Sequence, residues 1–175
     1  MNSAAISAVP TPSSAPAQRL IVLRILLAIV AGLELFDSLI GAPMLLDSTS
    51  SFPGPGIGGA ILKLTMAVHP VLALAALILA AIGRARHAVL VLGAVVLTTW
   101  LSIMPSVALH GLGAGSGTVL TPEQVITFPL MGACAIALAA RNQWLWLATA
   151  LVSIPTFMST LGFVLFTITV AIVGF

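Results

Sequence analysis

Long apolar stretches alternate along the chain with short polar or glycine-rich connections. The stretches are continuous and show no strict alternation of polar and apolar residues, which indicates helices. We mark five of them, at about Leu20–Leu46, Ile57–Ile82, Ala88–His110, Pro122–Ala140 and Trp144–Ile172. Because a bilayer crossing needs roughly 20 residues, the pattern predicts about five transmembrane helices. The fifth contains Pro155 and is expected to cross once, with a tilt or a kink.

The composition supports a lipid environment. Hydrophobic residues make up 60% of the chain and charged residues 6%, whereas a soluble domain is about 25% charged. Backbone polar groups in lipid must be paired internally, so we predict an all-α, polytopic transmembrane helical bundle with the lipid bilayer as its main partner. No basic patch suggests nucleic acid. The single cysteine, Cys134, cannot form an intrachain disulfide and is expected to be a small packing residue.

The chain divides into a tail and a membrane domain. Residues 1–18 are rich in proline, serine and alanine, which predicts a disordered tail, and residues 19–175 form the transmembrane domain. The fourth apolar segment starts with a helix-initiation pattern, in which Thr121 is the expected N-cap and Gln124 closes a capping box.

Basic residues predict the orientation. They occur at Arg19, in the turn 83–87 and in the turn 141–143, whereas the connections 47–56 and 111–121 contain no lysine or arginine. Positive charge favours the cytoplasmic side. We therefore expect a multi-pass protein of the cell inner membrane with a cytoplasmic N-terminus and an external C-terminus. Arg24 lies one turn inside and is expected to snorkel to the cytoplasmic interface.

Four ionisable residues form a predicted polar cluster in the outer half of the bundle. Glu34 and Asp37 are three residues apart on the first helix, and Lys63 and His69 lie on the second. A charged group at the bilayer centre costs roughly 2.5–3.5 kcal/mol. We therefore predict that Glu34 pairs with His69 and Asp37 with Lys63, on an inward-facing surface.

The third helix carries a polar stripe that leads from its outer end toward the level of His69. Its members recur at spacings of three and four: Thr99, Ser102, Ser106 and His110. Residue counting brings Thr127 of the fourth helix, and Ser159 and Thr160 of the fifth, to the level of the cluster. We interpret the stripe as a path of access to the cluster.

Two functional interpretations stay open. In the first, His69 exchanges protons with Glu34 in a proton-linked or small-solute transporter, because histidine titrates near neutral pH; a chain this small would act as a homo-oligomer. In the second, the protein is a non-catalytic accessory or assembly subunit of a larger membrane complex. The small residues Ala133, Ala137 and Ala140 suit helix–helix contact of that kind.

A redox interpretation, with a haem or quinone held by His69 and His110, is disfavoured, since the two residues differ in depth by roughly 10 Å. A metal site formed by His69, Glu34 and Asp37 stays geometrically open, although no HExxH-type spacing supports it, and the cofactor is unknown. An enzyme is not favoured either, because Ser102 and His110 lie two turns apart on one helix, too far for a nucleophile–base hydrogen bond.

Overall fold

The computed structural model describes residues 15–41, 43, 54, 56–112 and 122–174. Within these ranges it contains five α-helices: α1 (Ala15–Gly41), α2 (Ile57–Ala81), α3 (Ala85–His110), α4 (Phe128–Ala140) and α5 (Leu145–Val173). A π-helical segment, Glu123–Thr127, leads directly into α4. No β-strand occurs in these ranges. The predicted all-α helical bundle is confirmed.

Four helical stretches in the described part of the chain are long and apolar enough to cross a membrane: Ile57–Ala81, Ala85–Leu109, Glu123–Ala140 and Leu145–Val173. Helix α1 has 27 residues but is more polar, because it carries Arg19, Arg24, Glu34 and Asp37. These features support a multi-pass membrane protein.

The start of α1 differs from the one expected. The helix, described over Ala15–Gly41, begins inside the predicted tail, and the predicted end at Leu46 lies outside the described residues. Alanine and glutamine favour helix, and Pro16 is tolerated in the first turn. Residues 1–14 and the predicted N-cap Thr121 lie outside the described residues.

Helix α5 is one uninterrupted helix of 29 residues that passes through Pro155. The segment is also a single candidate membrane span, as expected for one crossing. Proline has no amide hydrogen to donate to the carbonyl four residues earlier, so the carbonyl oxygen of Leu151 loses its usual helical donor. Pro155 and the next residue, Thr156, are both buried inside the bundle.

Consecutive helices pack side by side, and α5 returns to contact α1, while α3 also touches α1 and α5. The core lies toward the end of the bundle that carries the short turns between α2 and α3 and between α4 and α5. Bulky side chains from α1 and α3, such as Leu23, Leu27 and Leu92, meet alanines of the other helices there. Small residues allow membrane helices to approach closely.

Helices α3 and α4 approach each other closely at two glycines. A Cβ atom on Gly93 would lie 2.5 Å from Cγ1 of Ile136 and 3.2 Å from the carbonyl oxygen of Gly132. Only a residue without a side chain fits there without rearrangement. Cys134, on the same helix as Gly132, is exposed, so the expectation that it packs inside this chain is wrong.

Arginine side chains hold the helix ends together at the core end of the bundle. Arg24 donates from Nη2 to the carbonyl oxygen of Ala81 at 2.6 Å and from Nε to that of Ala80 at 3.4 Å. Arg86 donates to the carbonyl oxygen of Ala140 at 2.7 Å. The last carbonyls of a helix lack internal donors and carry partial negative charge. Arg24 therefore links α1 to the end of α2.

Candidate functional site

A cavity of about 290 Å³ opens between α1, α2, α3, α5 and the segment that precedes α4. Its polar lining consists of Glu34, Asp37, His69, Thr99, Gln124, Thr156, Ser159 and Thr160. Small-molecule sites occupy roughly 300–1,000 Å³ and combine apolar walls with a few polar groups. The cavity is thus large enough for a small solute.

Glu34 and His69 form a hydrogen-bonded pair at the wall of this cavity. Oε2 of Glu34 lies 2.9 Å from Nε2 of His69, and the two side chains are 13% and 14% exposed. The contact between these residues predicted from the sequence is present. The contact joins α1 to α2 and leaves both side chains largely buried. It therefore gives the acidic residue of α1 a hydrogen-bonding partner among apolar residues.

The second oxygen of Glu34 is bound by a residue that sequence reasoning missed. Thr156 of α5 donates its hydroxyl to Oε1 of Glu34 at 2.6 Å, and its side chain is buried. A signal existed in the sequence. Hydroxyl residues recur on α5 at spacings of four, three and four: Thr149, Ser153, Thr156 and Thr160. This pattern resembles the one we used on α3, but counting depth alone selected Ser159 and Thr160.

The second nitrogen of His69 also has a neighbour. Nδ1 lies 3.4 Å from the hydroxyl oxygen of Thr99 on α3, and that hydroxyl lies 3.1 Å from the carbonyl oxygen of Val95. Four helices therefore meet at the pair. At about 1.5 Å per residue, His69, Thr99 and Thr156 lie roughly 16–21 Å from the ends of their helices at the core end of the bundle, which places them at one level.

The two threonines can follow a change in protonation of the pair. A hydroxyl both donates and accepts. Thr99 can accept from a protonated Nδ1 while donating to Val95, or turn and donate to an unprotonated Nδ1. Thr156 has the same choice between Glu34 and the carbonyl oxygen of Val152, at 3.4 Å. Each of the two hydroxyls therefore has a hydrogen-bond acceptor whether the proton is on His69 or on Glu34.

The predicted pair between Asp37 and Lys63 is wrong for the described residues, in which the one salt bridge joins His69 to Glu34. Asp37 lines the cavity, whereas Lys63 is exposed and does not. Six residues turn a helix through about 600°, so Lys63 and His69 point about 120° apart. The prediction grouped Lys63 with the other three residues of the cluster because they lie at similar depth. The orientation of α2 directs the Lys63 side chain away from them.

The polar stripe on α3 is only partly directed at the cavity. Thr99 lines it, together with Val96, Trp100 and Ile103, whereas Ser102 and Ser106 are not among the lining residues. Ser102 donates back to the carbonyl oxygen of Thr99 at 2.6 Å. The side chain of His110 lies outside the described residues, and the stripe as a path of access stays a prediction.

The fifth helix supplies both residues predicted from depth, since Ser159 and Thr160 line the cavity, while Thr127 does not. Thr127 belongs to the π-helical segment, and its side chain is exposed. That segment contributes Gln124 to the lining instead. It is tied to α3 because Trp100 donates from Nε1 to the carbonyl oxygen of Val125 at 2.9 Å.

Metal and haem ligation fit the site poorly. Within the described ranges, no three histidine, cysteine or acidic side chains converge closely enough to hold a metal ion. Each ring nitrogen of His69 already faces an oxygen, from Glu34 or from Thr99. An axial ligand to haem needs one of those nitrogens free, so ligation would first break the pair.

Comparison of the chain with protein-family models, with curated proteins and with solved structures finds no match.

Proposed function

We propose that this protein transports a small solute across the cell inner membrane, with proton exchange at Glu34 and His69, and that it acts as a homo-oligomer. One observation carries the proposal: a hydrogen-bonded pair of titratable side chains forms part of the wall of a solute-sized cavity. Ionisable residues inside membrane domains commonly mark solute or proton pathways. A purely structural pair would serve equally well in a packed interface without a cavity.

The chemistry of the pair suits proton exchange. Histidine gains and loses its proton near neutral pH, and the carboxylate of Glu34 can accept that proton across the 2.9 Å contact. The hydroxyls of Thr99 and Thr156 can reorient as the proton moves. The cavity gives water and solute a way to reach the pair, so protonation and solute binding can be linked.

Proton flux in reconstituted vesicles tests this proposal. The full chain is placed in liposomes containing a trapped pH-sensitive dye, and a pH gradient is imposed with potassium and valinomycin to prevent charge build-up. We expect faster proton entry than in protein-free vesicles. Glu34→Gln and His69→Gln should each reduce the added rate at least tenfold. Lys63→Gln removes a charge outside the cavity and should leave the rate unchanged. A rate equal to that of empty vesicles, or unaffected by both substitutions, would refute the proposal.

The proposed orientation places the cavity in the outer half of the membrane. Its support is the gathering of Arg24, Arg84, Arg86 and Arg141 at the opposite end of the bundle. In a Cys134→Ala background, Ile57→Cys should react in intact cells with a maleimide that cannot cross the membrane, whereas Gln143→Cys should react only after cell lysis. The reverse labelling pattern would contradict this orientation.

A second candidate, an accessory subunit of a larger complex, is favoured by one surface. Ala133, Ala137 and Ala140 of α4 are all exposed, and small residues promote close contact between membrane helices. This candidate predicts no flux from the protein alone and a large partner that co-purifies from gentle detergent. Replacing Ala137 with Leu should release that partner, whereas the same substitution should leave the proton flux of an independent transporter unchanged.

A further inference from the structure

The cavity combines excess acid with aromatic walls. We infer that its solute is a small organic cation, an amine or quaternary ammonium compound, with its charge near Asp37 and its apolar body against aromatic rings. The inference rests on the proposed function, because it takes this cavity as the solute site, and it adds the chemical class of the solute.

The charges lining the cavity are unbalanced. Its ionisable residues are Glu34, Asp37 and His69, and no lysine or arginine is among the lining residues. Glu34 is already engaged by His69 and Thr156, whereas Asp37 forms no salt bridge within the part of the chain that the structure describes. With the Glu34–His69 pair neutral overall, an ionised Asp37 leaves one negative charge, which a cationic ligand balances.

Aromatic rings line the same space. Phe36, Trp100, Phe128 and Phe163 come from α1, α3, the start of α4 and α5. Aromatic faces attract cations, most strongly the face of tryptophan, and quaternary ammonium groups are often recognised this way. The Nε1 bond to Val125 at 2.9 Å restrains the ring of Trp100. The wall can therefore hold an organic cation without many hydrogen bonds.

Other ligand classes fit less well. An anion would meet two carboxylates and a single imidazole that is already paired. A metal ion needs several converging ligands, and the described residues provide no such group. A polyhydroxylated neutral solute would need free hydrogen-bonding groups, but Thr156 and Thr160 already donate to Glu34 and to the carbonyl oxygen of Thr156.

Binding can be measured on the full chain in detergent. Trp144→Phe and Trp146→Phe leave Trp100 as the single tryptophan, because the protein contains three. The probes are benzyltrimethylammonium, neutral benzyl alcohol and anionic benzenesulfonate. We expect a saturable change in Trp100 fluorescence with the cation, and affinities at least tenfold weaker for the other two probes.

Substitution at Asp37 tests where the charge is recognised. Asp37→Asn should weaken cation binding at least tenfold, Asp37→Glu should restore most of it, and Lys63→Gln should leave it unchanged. Equal affinity for the three probes, or cation affinity unaffected by Asp37→Asn, would overturn the inference. If the Asp37→Asn variant does not fold, the relative affinities of the three probes for the folded parent chain still test whether the cavity prefers a cation.

The two proposals can fail separately. Binding in detergent requires no transport, so cation binding without proton flux would support the ligand class and refute the transport role. Proton flux that depends on Glu34, together with no preference for the cation, would retain the proposed function and overturn the ligand class.

Discussion

Replacing Thr156 with valine tests the contact that completes the site. Valine keeps the branched shape of threonine and removes only the hydroxyl, which donates to Glu34 at 2.6 Å. Hydrogen bonds to charged groups contribute about 1.5–3 kcal/mol in soluble proteins, whereas those between membrane helices average about 0.6 and reach about 1.7 kcal/mol. Because Thr156 is buried and its acceptor is a carboxylate only 13% exposed, we expect a value at the upper end for membranes. The free energy of unfolding should fall by about 1–2 kcal/mol.

The α5 helix supplies a matched control. Thr149 is equally buried, but its hydroxyl donates to the carbonyl oxygen of Leu145 in its own helix, so Thr149→Val should lower the free energy of unfolding by less than about 0.5 kcal/mol. Reversible unfolding in mixed micelles, titrated with sodium dodecyl sulfate and followed by circular dichroism, gives both values. In a Glu34→Leu background, Thr156→Val should lower the free energy of unfolding by no more than Thr149→Val does. Equal effects of the two substitutions in the parent chain would refute the interhelical contact.

Two further predictions use the same unfolding titration. Gly93→Ala should destabilise the protein by about 1–3 kcal/mol through overpacking against Ile136, whereas Gly162→Ala, with no neighbouring atom within 4 Å of its new Cβ, should be neutral or slightly stabilising; equal values would contradict the close approach of α3 to α4. Arg24→Ala should lower the free energy of unfolding by about 1 kcal/mol, because one of its two bonds to the end of α2 is part-buried and the other is exposed, and exposed contacts of a charged group contribute little. Arg24→Lys should restore only part of that loss, since lysine lacks the guanidinium fork, and complete rescue would argue against the two-carbonyl contact.

The sequence by itself determined the membrane class, the five helices and the basic end of the bundle. These properties depend on composition and local pattern: apolar runs of sufficient length form helices in lipid because their backbone groups must pair internally. It also determined that Glu34 needs a partner on another helix. The cost of an unpaired charge is large, and His69 is an available partner at the right depth, so the prediction of that contact needed no coordinates.

Only the tertiary structure decided which face each helix presents. Residue counting gives depth along a helix but not the rotation of that helix against its neighbours. Lys63 therefore matched Asp37 in depth and yet points elsewhere, while Thr156 reached Glu34 across 122 positions in sequence. The cavity likewise depends on how four helices pack around Pro155 and on the π-helical entry to α4. Those arrangements arise from contacts between distant segments, which no local pattern of residues specifies.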